Sequence, residues 1–105
     1  LRVSLPGQEL FFNAPLHLQN LPSSETYSVF QDSKGIIWIC SDAGICRYNG
    51  NTLTTFTTRD GISENVVFKA YEDNKKRIWF NTLSGYLFYY ENNAFHSIAA
   101  NENLK

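Results

Sequence analysis

The sequence repeats itself at a spacing of 41 residues: Trp38 returns as Trp79, and Asp32, Lys34, Ile37, Gly44, Tyr48 and Asn51 return as Asp73, Lys75, Ile78, Gly85, Tyr89 and Asn92. Those are seven identities in the twenty positions from 32 to 51, without a gap. Phe30/Tyr71, Ile39/Phe80 and Ser41/Thr82 keep their character. A strand-built period of this length is the mark of a β-propeller blade. Such a unit has apolar faces that only a neighbouring copy can cover. The repeat therefore constrains fold first and function second.

Alternation and turn chemistry divide the chain. Residues 1–24 read as a lead-in strand and connector, with a turn or frayed entry at Leu5-Pro6-Gly7. Residues 25–65 form a first blade, 66–99 a second, and 100–105 a frayed tail. In the first blade a strand from Tyr27 leads into the turn Asp32-Ser33-Lys34-Gly35, followed by strands over Ile36–Ser41, Ile45–Tyr48 and Leu53–Thr57. The second copy places strands over Val66–Tyr71, Arg77–Thr82, Tyr86–Tyr90 and Ala94–Ile98. Its last turn takes one extra residue, which aligns Leu53 with Phe95. Gly35, Gly44 and Gly85 sit where a turn calls for positive φ. The expected fold is all-β: a propeller fragment of two four-stranded antiparallel blades plus an N-terminal lead-in strand.

Composition supports strands and excludes several functions. Aromatic residues make up 15% of the chain, an excess that suits strands with large packed side chains. The net charge of -1 offers no basic field for a polyanion, so nucleic acid is not expected as a partner. No window is long and apolar enough to span a membrane. The chain starts at Leu1 and has no Met, as a processed or excised piece would. A hairpin loop centred near Ala43 would set Cys40 and Cys46 opposite each other. A disulfide there is conceivable, but it would close a very short loop and stabilise little, so the pair is expected to stay unbonded.

No catalytic set stands out. Glu72 and Asp73 are adjacent, so on a strand they point to opposite faces and share no proton. Asp32 and Asp73 recur with the repeat, which argues for side chains that bond backbone N–H groups two residues on. His17 and His96 have no neighbouring ligand, and no metal or cofactor is expected. Trp38 and Trp79 could be sugar platforms, but their equal placement argues for packing between blades. In the run Tyr86 to Tyr90, alternation sends Tyr86, Phe88 and Tyr90 to one face and Leu87 and Tyr89 to the other. That face is either blade core, left open where the chain stops, or an aromatic ligand surface.

These residues resemble the two-component regulator propeller repeat, whose pattern joins a Gly-Leu-Pro-Ser connector, D-x-x-G-x-x-W-I-G-T, a G-L pair and an Arg-Tyr strand. The first copy reads Asp32-Ser33-Lys34-Gly35-Ile36-Ile37-Trp38-Ile39-Cys40-Ser41, then Gly44-Ile45 and Arg47-Tyr48. The second reads Asp73 to Thr82 with Trp79, then Gly85-Tyr86. The connectors Asn20-Leu21-Pro22-Ser23 and Gly61-Ile62-Ser63-Glu64-Asn65 also fit. The match covers about residues 20–98, although Cys40 and Asn81 stand where the pattern favours Gly and Lys76 replaces the turn glycine.

The resemblance implies a periplasmic sensor propeller of a membrane-bound histidine kinase, of a type found in Bacteroidetes and in many cases responsive to oligosaccharides. The alternative is a scaffold or binding propeller of a secreted or surface protein without a kinase. Expected partners are further blades of a longer chain, a second copy of this fragment, or a carbohydrate. The segment itself is expected to be non-catalytic and to make no membrane contact.

Overall fold

A computed structural model describes residues 2–5, 8–11 and 25–98. Two four-stranded antiparallel sheets form its body. The first is the meander β3 (Thr26–Gln31), β4 (Ile37–Ser41), β5 (Gly44–Tyr48) and β6 (Leu53–Phe56). The second is β7 (Val67–Glu72), β8 (Ile78–Thr82), β9 (Leu87–Glu91) and β10 (Ala94–Ser97). Each is a propeller blade, and the strand limits lie within about a residue of those the alternation predicts. At the N-terminus, β1 (Arg2–Leu5) and β2 (Gln8–Phe11) pair in a separate two-stranded sheet, with Leu5 opposite Gln8. Of the expected lead-in strand and connector (1–24), residues 12–24 lie outside the described residues, as does the expected tail (100–105).

The two blades share an irregularity. The register of β3 on β4 shifts between Thr26 and Ser28, and that of β7 on β8 between Val67 and Lys69. The extra residues, Tyr27 and Phe68, are one repeat apart, and their rings meet edge to face at 5.0 Å. A bulge bends the strand and re-aims a side chain. Here Ser28 Oγ donates a 2.6 Å hydrogen bond across to the Phe68 carbonyl, pinning the inner strand of one blade to that of the next.

The core lies between the blades. Trp38, Cys40 and Ile45 from the first meet Val67, Ile78, Phe80 and Phe88 from the second, with Ile62 of the connector closing the end. These side chains come from the inner face of each sheet, where partners across a ladder share one side. Between the blades the chain makes a single 3-10 turn at Thr58–Asp60, capped reciprocally by Thr57 and Asp60 and released at Gly61, φ 101°. On the far face of the first blade Ile39, Cys46 and Tyr48 are buried. On the far face of the second blade Tyr71 is exposed and Trp79, Tyr89 and His96 are half-buried.

Two registers correct the sequence reading. The β4–β5 turn has two residues, Asp42 and Ala43, with Ser41 opposite Gly44. Cys40 therefore pairs with Ile45 and Cys46 with Ile39, so the two thiols lie on opposite faces of the sheet, because one residue of register flips every side chain. Both cysteines are free. In the second blade Tyr90, not Tyr89, answers Tyr48: Tyr48 pairs with Ile37, and Tyr90 with Ile78 one repeat on. The extra residue of the second copy thus sits in the β8–β9 turn, not in the β9–β10 turn. Identity at Tyr48/Tyr89 concealed this, because an alignment without gaps scores letters and not pleats.

Candidate functional site

The repeated aspartates are the most heavily bonded side chains in the blades. Asp32 Oδ1 accepts from the backbone N–H groups of Lys34 (2.9 Å) and Ile36 (3.0 Å), and its Oδ2 accepts from the Trp38 indole (2.9 Å). Asp73 repeats the set with Lys75 N, Arg77 N and the Trp79 indole, and adds the Arg77 Nε at 2.7 Å. The backbone part is an Asx-type turn. The indole bond fixes the six-residue spacing between Asp and Trp, which sequence reasoning left unexplained. Burial acts to raise the Asp73 carboxyl, but the donors from Trp79 and Arg77 outweigh it and hold the group well below the usual carboxylate range. Both aspartates are braces, with no partner placed for proton transfer.

The two tryptophans part company in tertiary structure. Trp38 is buried against Phe80 and Tyr90 of the second blade, at ring distances of 5.4 and 5.1 Å. Trp79 stands on the far face of the second blade and is only half-buried. There it belongs to an aromatic ladder of register partners running from Tyr71 through Trp79 and Tyr89 to His96, with successive centroids 6.4, 4.8 and 5.0 Å apart. Arg77 lies over Trp79 and Tyr89.

The aromatic run of β9 is divided accordingly. Phe88 is fully buried in the inter-blade core, beyond the reach of a ligand. Tyr90 packs inward against Trp38 and Phe95. Tyr86 precedes β9, where its N–H donates to the Thr82 hydroxyl, and stays partly exposed. The expectation that Tyr86 and Phe88 mark the open outer face is corrected: the open face carries Tyr89. The physical reason is that Phe88 is the register partner of Phe80, whose face meets the first blade.

The recurring glycines both take positive φ. Gly44 takes φ 97° and Gly85 φ 85°. Gly44 is confined as well, since a Cβ there would collide with the Phe56 carbonyl oxygen. Its N–H donates 2.6 Å to the Asn65 carbonyl of the connector. Gly35 has φ 84° with open space around it, and Lys76, its counterpart in the second copy, takes φ 67° despite its side chain. Lysine at that position therefore leaves the turn intact.

At the end of the blades that carries the β3–β4, β7–β8 and β9–β10 turns, a cavity of about 350 Å³ opens between the sheets. Trp38, Arg47, Ile78 and Tyr90 form its interior. Glu72 spans the same gap, its carboxylate accepting from Ser33 N (2.9 Å) and Ser33 Oγ (2.7 Å). Among the described residues no group of three or more His, Cys, Asp or Glu could hold a metal ion. Sequence reasoning read Arg47 only as part of the repeat pattern, and its place is filled by an aromatic in the second copy, so nothing pointed to a cavity.

Residues 20–43 match the family model of the two component regulator propeller. They span the connector, β3, the Asp32 turn, β4 and the start of the next turn, which is the stretch built around the Asp32–Trp38 brace. Residues 20–43 are thus similar to one two component regulator propeller repeat. No curated protein matches the chain. The second blade repeats the Asp–Trp brace through Asp73 and Trp79. No helix among the described residues is long and apolar enough to cross a membrane.

Proposed function

We propose that the chain is a non-catalytic recognition segment of an extracytoplasmic sensor propeller, in a parent protein that is a two-component histidine kinase. The observation that carries this reading is the match of residues 20–43 to the two component regulator propeller, set on a blade whose bracing residues recur in the next. Propellers collect ligand contacts from the loops of many blades around one axis. Two blades supply part of such a ring, and an oligosaccharide is the ligand class this reading favours. The half-buried Trp79 and its ladder take the place that Trp38 occupies one repeat earlier. That equivalence supports a further blade stacking on the far face.

The deciding experiment is to read the gene beyond Lys105. Further blades, a membrane-spanning helix and a kinase module are expected. A reading frame that ends after more blades, with neither helix nor kinase, would favour a scaffold or binding propeller of a secreted protein and overturn the sensor reading.

A further inference from the structure

The cavity between the blades has the chemistry of an anion site. Its volume, about 350 Å³, lies at the lower end of the range for small-molecule pockets. Arg47 packs against the rings of Trp38 and Tyr90, its guanidinium carbon 5.6 and 6.0 Å from their centroids. The two rings hold the cation in position before any ligand arrives. Its Nε is buried without a hydrogen-bond partner. A buried donor left without a partner is destabilising, while the side chain as a whole is only half-buried and lines the cavity.

The carboxylates lining the cavity do not meet that need. Asp32 is spent on two backbone N–H groups and the Trp38 indole, and Glu72 on Ser33. Glu91 lies in the field of Arg77. At the mouth stand Lys34, Lys75 and Lys76, none with an ion-pair partner among the described residues. The four cations Lys34, Arg47, Lys75 and Lys76 exceed the three carboxylates of the lining by one charge, and Ile36 and Ile78 add an apolar wall for a small organic body.

We propose that this inter-blade cavity binds a small anion through a carboxylate or phosphate group. Arg47 is the inner donor and the turn lysines are the outer ones. Such a ligand would bridge two blades at the turn end of the sheets, and the proposal is independent of the sensor reading.

The two indole N–H signals in an NMR spectrum of the 105-residue chain provide the test, since Trp38 lines the cavity and Trp79 lies on the opposite side of the second blade. Inorganic phosphate and benzoate are titrated separately, with sodium chloride at matched ionic strength as control. A saturable shift confined to Trp38 is expected for at least one probe, and which of the two saturates assigns the anion's chemistry. Arg47→Gln should weaken it about tenfold or more, as loss of a charged hydrogen bond does. Should that variant fail to fold, Lys34→Gln/Lys75→Gln/Lys76→Gln, in exposed turns, should weaken it several-fold. No saturable shift, an equal shift with chloride, or undiminished binding in a folded variant would overturn the proposal.

Discussion

At the scale of single residues, the Asp–Trp brace is the unit that the repeat preserves. One carboxylate ties a turn's N–H groups to the indole six residues on, so turn geometry and tryptophan rotamer are set together. Asp32→Ala should cost on the order of 2 kcal/mol, the range for hydrogen bonds to a charged group, and urea unfolding would measure it. Asp73 makes the stability pH-dependent. Its folded-state value lies below the unfolded one of about 3.9. Its contribution is therefore complete above about pH 4 and is lost as pH falls through the folded value. Thermal melts of Asp73→Asn should show a shallower loss of Tm below about pH 4 than those of the parent chain. Gly44→Ala should be costlier than Gly35→Ala. Both incur a positive-φ penalty on the order of 1 kcal/mol, but only Gly44 faces a backbone oxygen. Equal costs for the two would contradict the close approach at Phe56.

At the scale of elements, what matters is register. The two-residue turn at Asp42-Ala43 puts Cys40 toward the second blade and Cys46 toward the opposite side. Burial pushes the Cys40 thiol up to about 12 and raises that of Cys46. A thiol reagent at pH 8 should count two free thiols in denaturant and react only slowly with the native chain. Rapid native labelling, or a disulfide within the monomer, would contradict this register. Existence and order of the strands were legible from period-2 alternation and turn residues. The β4–β5 and β8–β9 registers were not, because a one-residue difference in turn length leaves composition unchanged and reverses which face each side chain meets.

At the scale of the molecule, the blade interface carries the stability. Trp38→Ala should destabilise by about 3–5 kcal/mol, as large aromatic core truncations do. Trp79→Ala should cost clearly less, since half its environment is solvent. Denaturant midpoints for the two variants would reveal any reversal of that order. The uncovered ladder from Tyr71 to His96 leaves apolar area wet at about 25 cal/mol per Å², several kcal/mol in all for a face of this kind. Light scattering at micromolar concentration should detect self-association, and Trp79→Lys should abolish it. A strictly monomeric, well-folded parent chain would count against stacking on that face.

The 41-residue repeat by itself determined the blade fold, the four-strand meander and the residues that turn and brace each copy. These are local matters, decided by turn chemistry and by a side chain reaching six residues along its own chain. Tertiary structure alone decided that Trp38 is core and Trp79 surface, that Tyr90 rather than Tyr89 answers Tyr48, and that Arg47 borders a cavity. The physical reason is that a repeat assigns equal residues equal local geometry. Burial depends on what stands opposite, and the two blades have different neighbours.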